Sequence, residues 1–385
     1  MLAYNTVWLN NLFIQEQAAG AFHQTCLKKD ELNGINRHFT AGFYTPNFFI
    51  RIGLFILTTV ILLFSFGLFS LVFLGSIEHA VGGIAIFFGL LSYAALEYIV
   101  QSKNHFKSGV DDALTWISAI SFAGGISYLF NAGALANCWI IFIICVYYSV
   151  RFADRAISIA GYIALLGIFF FAILPWGVAA KAVLPFVLMA VSFGCFFITK
   201  RMQGLTKNML YQNCLQTLSV SALATVYLSA NYYVVREAGN ALFNFEIADE
   251  QPLPFGWIFW ILTLIIPLVY IARGIQKKDR LLIRLGLLLV AVIVFTVRYY
   301  YAFAAVEMIM AVGGIILIAV SYALSRYLRT PKHGFTNFDI NPLAENGKMQ
   351  LESIILAQSL SIQATPESKG FGGGSFGGGG ASGDF

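Results

Sequence analysis

Residues 51–75 read RIGLFILTTVILLFSFGLFSLVFLG. After Arg51 the stretch carries no charge, and at about 1.5 Å per residue it is long enough to cross a hydrocarbon core of about 30 Å as a helix. The same texture continues to Leu328, cut only by short polar knots. Charged residues make up 11% of the chain, against about 25% in an ordinary soluble domain. Hydrophobic residues make up 58%, more apolar surface than a water-soluble fold can hide, so lipid is the expected solvent. The runs are continuous rather than alternating with period two, which excludes an outer-membrane barrel. The fold class read from this is all-α: a polytopic helical membrane protein of about ten transmembrane helices.

The expected spans are 52–75, 80–100, 110–130, 133–150, 156–174, 180–199, 212–235, 256–273, 281–301 and 304–326. They divide the chain into a cytosolic amphipathic helical segment (1–50), a ten-helix membrane domain (51–328), a cytosolic tail (329–369) and a glycine-rich end (370–385). Basic residues alternate between the connections. Of the 24 Lys and Arg residues, only Lys181, Arg236 and Arg298 fall on the outer side. That bias is the mark of insertion orientation and places both termini in the cytoplasm. It also accounts for the net charge of +5 without a nucleic-acid partner. Aromatic residues fit the same ladder, with Trp139, Trp176 and Trp257 at outer ends and Tyr98, Tyr147 and Tyr270 at inner ends. The first 50 residues have no compact apolar core of a signal peptide, so the first span is expected to direct insertion itself.

Ahead of the membrane, a helix is expected from Asn5 to Leu27, with Trp8, Leu9, Leu12 and Phe13 loosely on one face. A second short helix starts near Asp30, a capping residue, and Gly42–Pro46 breaks the chain. Past Arg329 and Pro331 a short amphipathic helix is expected near 344–360. Gly370 to Phe385 is too poor in apolar side chains to order itself. This Gly-Ser-Phe run resembles the C-terminal tail of bacterial membrane proteins that carry the TPM domain, although that domain has no counterpart here. In layout the chain resembles uncharacterised bacterial inner-membrane proteins. The resemblance implies a habitat, the bacterial inner membrane, and no activity.

Two hairpins share a pattern. Arg51-Ile-Gly-Leu54 is followed by Ala80-Val-Gly-Gly-Ile84 and Ser92-Tyr-Ala94. Arg284-Leu-Gly-Leu287 is followed by Ala311-Val-Gly-Gly-Ile315 and Ser321-Tyr-Ala323. Both hairpins start from the same side, so this is a candidate parallel repeat of the first and last hairpins. The alternative is coincidence within a biased alphabet.

Candidate functional positions are few. Asn213, Thr217, Ser221, Thr225 and Ser229 recur every fourth residue, with Gln216 beside them, and lie on one slowly rotating helix face. They read as the lining of a pathway for an uncharged solute, or as a close-packing stripe of small hydroxyls. Glu97, His105, Asp111 and Asp112 gather near the cytoplasmic side as a candidate gate, or as interfacial caps. Arg298 and Glu307 flank the last outer turn as a candidate clasp. The five cysteines are scattered, and no metal spacing, phosphate-binding loop or nucleophile motif is present, so no cofactor and no catalytic residue is expected. Two functions fit: translocation of a small, uncharged solute, or a non-catalytic scaffold or sensor whose cytosolic termini bind protein partners.

Overall fold

The computed structural model describes residues 2–23, 26–72, 77–243, 255–277 and 279–300, with six further positions between 314 and 326. All regular structure among these residues is helical; the one β-type pairing is an isolated bridge between Tyr44 and His105. The elements are α1 (Thr6–His23), α2 (Lys29–His38), α3 (Phe48–Val72), α4 (Ile77–Ser102), α5 (Val110–Leu129), α6 (Ala134–Phe152), α7 (Arg155–Ile173), α8 (Val178–Gln203), α9 (Gln212–Ala230), α10 (Tyr232–Phe243), α11 (Gly256–Lys277) and α12 (Arg280–Tyr300). The expected span at 304–326, Glu307, most of the second copy of the candidate repeat and the whole tail from residue 327 lie outside the described residues.

Among the described residues seven helices are long and apolar enough to cross a membrane: α3, α4, α6, α7, α8, α11 and α12. An eighth span arises if α9 and α10, bent by 74° at their junction, count as one. The sequence reading of ten included α5, which falls short of this apolarity. Its first turn carries Asp111 and Asp112, and Thr115 and Ser118 are buried along it. The reason is its position. It packs against α3, α4 and α6, so protein covers the groups that lipid would otherwise meet. By contrast, α3 buries none of its central window and presents Phe64, Leu68 and Leu71 outward.

Consecutive helices pair as hairpins, α4 with α5, α6 with α7, α8 with α9 and α11 with α12. Glycine sets the closest of these approaches. A Cβ on Gly125 would stand 2.8 Å from the Gly82 carbonyl oxygen and 2.7 Å from Ile86, so α4 and α5 touch backbone to backbone. In α11 and α12 the same role falls to Gly274 and Gly286, whose Cβ atoms would each meet an isoleucine of the facing helix at 2.6 Å. Both in-helix prolines, Pro185 in α8 and Pro267 in α11, leave their helices continuous. The second half of the bundle gathers around α9, which touches α7, α8, α10, α11 and α12.

The N-terminal segment docks on the bundle. The Ala3 N–H donates to the Arg151 carbonyl at 2.9 Å, and in the bridge to the α4–α5 loop the Tyr44 N–H donates to the Asn104 carbonyl at 2.9 Å while the Tyr44 carbonyl accepts the Phe106 N–H at 3.3 Å. Tyr4 is buried with Leu96, Val100, Leu114 and Tyr148, and Phe43 and Phe106 meet its ring at 6.2 and 5.0 Å. At α2 the capping carboxylate is Glu31, which accepts from the Lys28 N–H at 2.8 Å, rather than the expected Asp30.

Because Gly125 meets backbone while a Cβ on Gly83 would meet nothing within 4 Å, the two differ sharply in tolerance. Gly125→Ala is expected to destabilise the purified protein by about 1–3 kcal/mol. Gly83→Ala should stay within about 0.5 kcal/mol of the parent. Thermal unfolding in detergent distinguishes them.

Candidate functional site

Residues 212–235 were expected to form one continuous span; the chain instead leaves the helix at Asn231. Asparagine is a weak helix former because its amide competes for nearby backbone groups. Here it adopts an extended conformation, φ −76° and ψ 125°, and its side chain is fully buried. Nδ2 donates to the Tyr227 hydroxyl at 3.0 Å and to Thr296 Oγ1 of α12 at 3.1 Å, while Oδ1 accepts the Val234 N–H at 3.2 Å. The Tyr232 N–H, released by the break, donates to Thr263 Oγ1 of α11 at 3.0 Å. Three helices therefore supply the bonds that α9 forfeits. A broken helix whose freed groups bond to neighbouring helices is a recurring device of solute and ion sites in membranes.

The polar stripe of α9 runs from its start to this break. Asn213 and Gln216 are exposed and line a cavity of about 790 Å³ between α1, the α4–α5 loop and the α8–α9 connection. At the other end Thr225 and Ser229 line a second cavity of about 230 Å³ with Phe170, Leu184, Leu188 and Val235. Thr217 and Ser221 lie between, half-buried. The Thr217 and Thr225 hydroxyls donate back to the Asn213 and Ser221 carbonyls at 2.8 and 2.9 Å. Their lone pairs stay available to a passing group. Tyr162 of α7 donates to Ser192 of α8 at 2.8 Å and stands beside Thr225. Beyond the break Arg236 is buried, near the Tyr232 hydroxyl at 3.4 Å and over the Tyr300 ring at 5.3 Å.

Asp111, Asp112 and His105 come together; Glu97 stands apart. The Asp111 carboxylate accepts from the Lys107 and Ser108 N–H groups, the Ser108 hydroxyl and the Tyr4 phenol at 2.8, 2.8, 2.9 and 3.4 Å. The His105 ring shares a hydrogen bond with Ser108 at 2.9 Å. Asp112 pairs with Arg51 at 2.7 Å. Glu97 instead pairs with Arg151 at 2.8 Å and accepts from the Tyr93 hydroxyl at 2.7 Å. These partners fix the α4–α5 loop, which has left-handed backbone at Asn104, Lys107 and Gly109. At Gly109, with φ +93°, the Arg51 carbonyl and the Phe55 N–H leave no room for a Cβ. Of the candidate clasp, Arg298 Nη1 is buried without a hydrogen-bond partner among the described residues, and Glu307 lies outside them. Among the described residues no group of histidine, cysteine and carboxylate side chains could hold a metal ion.

Sequence reading missed two features. The break at Asn231 is marked by no proline or glycine, and its partners Thr263 and Thr296 lie far along the chain. Tyr4 sits too close to the terminus for periodicity to register it.

Burial, and then the charges of Asp111, Asp112 and Asp154, hold the Tyr4 phenol well above the ordinary tyrosine value of 10.0. The docked phenol stays neutral where a released one ionises, so its contribution is complete below about pH 10 and lost as the pH rises beyond it. Proteolysis near the N-terminus should accelerate above about pH 10, and Tyr4→Phe should abolish that dependence. Replacing Asn231 by Leu strands several buried partners and should cost at least about 2 kcal/mol in thermal unfolding. No family model, curated protein or solved structure matches the chain.

Proposed function

We propose that this protein translocates a small, uncharged solute across the bacterial inner membrane along the polar face of α9. The observation that carries the reading is the stripe itself: one helix lines a cavity at each end and breaks, with neighbouring helices bonding to the break, where the second cavity lies. The stripe offers hydroxyls and amides and no charge, which suits hydroxyl-bearing or amide-bearing solutes rather than ions. Tyr162 of α7, bonded to Ser192 of α8, stands beside Thr225 on this face. In this reading the chain has ten transmembrane helices. They comprise the seven apolar helices, the α9–α10 pair, the enclosed α5 and the apolar stretch 304–326. Both termini face the cytoplasm, as the distribution of Lys and Arg favours.

A second reading, a scaffold or sensor acting through its termini, draws support from α2, whose ten residues include no buried side chain. An exposed helix of mixed charge beside the membrane is available to a protein partner.

Proteoliposomes separate the two. Osmotic shrinking and reswelling with a panel of neutral solutes (polyols, amides, sugars) should show faster entry of at least one solute than in empty vesicles. Ser221→Leu, halfway along the stripe, should cut that rate about tenfold or more without altering thermal stability. No acceleration across the panel, or an unaffected Ser221→Leu variant, overturns translocation. Loss of a co-purified partner on deleting residues 1–40 supports the scaffold.

A further inference from the structure

The cytoplasmic cavity holds a group that the solute pathway does not use. Lys107 lies in its wall and also in the wall of a neighbouring cavity of about 620 Å³ on the far side of α1. Leu12, Glu16 and Phe106 are common to both, so the two spaces meet at Lys107 beneath α1. Its backbone is held left-handed at φ +50°, a costly conformation for a residue with a Cβ. Its N–H is committed to Asp111 at 2.8 Å. The backbone at Lys107 is thereby fixed, and its exposed side chain starts from the wall of the cavity. The ammonium stands 5.1 Å from the Phe106 ring centroid and forms no ion pair among the described residues. Burial and the nearby positive charges of Arg155 and Arg51 push the Lys107 ammonium down from its ordinary value, against the pull of Glu16 and Asp112. The surrounding carboxylates are mostly engaged: Asp111 in four hydrogen bonds, Asp112 with Arg51, and Asp154 with the Ile157 N–H. Glu16, on α1, is the remaining one.

The rest of the wall has two characters. Gln17, Gln212, Asn213 and Gln216 offer amide donors, and Leu9, Phe13 and Leu210 offer apolar surface. A cation that lacks a counter-ion, beside neutral donors and a greasy wall at the membrane boundary, is suited to an amphiphile with an anionic head. We propose that the cavity beneath α1 binds the phosphate headgroup of an anionic amphiphile, with Lys107 as its counter-ion and Leu9, Phe13 and Leu210 against the start of its chain. Asn213 and Gln216 also line the mouth of the proposed neutral pathway, but headgroup binding is read without transport, so it stands or fails apart from that reading.

The test uses the purified full-length protein in a non-ionic detergent, titrated with dihexanoyl phosphatidylglycerol, with dihexanoyl phosphatidylcholine and with inorganic phosphate, binding being read by calorimetry. The expected result is saturable binding of the phosphatidylglycerol, weakened about tenfold by Lys107→Gln and retained by Lys107→Arg. Glu16→Gln, which removes the competing carboxylate, should tighten it. Binding of phosphatidylglycerol alone points to a lipid headgroup; equal competition by inorganic phosphate points to a free phosphorylated solute, and either supports the site. Equal affinity for the phosphatidylcholine, or an unchanged affinity in a Lys107→Gln variant of normal thermal stability, overturns it.

Discussion

A polypeptide in hydrocarbon has no water to repair a broken hydrogen-bond ladder, so every amide freed from a helix must find a partner inside the protein. At the Asn231 break that constraint is answered by bonds among Asn231, Tyr227, Thr296 and Val234 and between Tyr232 and Thr263. Those bonds in turn fix where α9, α11 and α12 sit. Thr263 and Thr296 are each buried beside an otherwise apolar surface, which a packing argument alone would not explain. They are placed where a discontinuous helix needs them. The hub position of α9 follows, because a helix that borrows bonds from two neighbours must lie between them.

The same logic applies in reverse at α5. A helix may carry aspartate, threonine and serine on its buried face if other helices stand between it and lipid, and α3, α4 and α6 do so. The Tyr148 hydroxyl on α6 donates to Ser118 of α5 at 2.9 Å, and Ser118 donates to the Thr115 carbonyl. The outer helices are accordingly the most apolar, and the enclosed ones carry the polar groups. Polarity that hydropathy reads as weakness in a span is here a mark of depth within the protein.

How much of this was legible in the sequence depended on the range of the signal. Helical class and most span positions follow from local apolar runs, and the starts of α3, α6 and α7 fall within a few residues of those expected. The every-fourth-residue stripe on α9 is also local, and the helix presents it along one face. Glu97, His105, Asp111 and Asp112 were legible as a polar group near one boundary, but not as two separate sets. Their division depends on Arg151 and Tyr4, which sequence distance hides. The break at Asn231 was illegible for the same reason: an asparagine in an apolar run is compatible with a continuous helix until its partners on α11 and α12 are known. The enclosure of α5 is likewise a property of the assembled bundle and of no local window.

The bond between Tyr4 and Asp111 joins residues 107 positions apart. At a synthesis rate of about 5–20 residues per second, the N-terminal segment waits roughly 5–20 s between leaving the ribosome and meeting its partner. During that interval Tyr4, Phe43 and the face of α1 have no bundle to cover them. The first helices of the chain thus settle only after α5 has been made. Synthesis of α3 and α4 proceeds without them, and their docking covers one end of the helices already made.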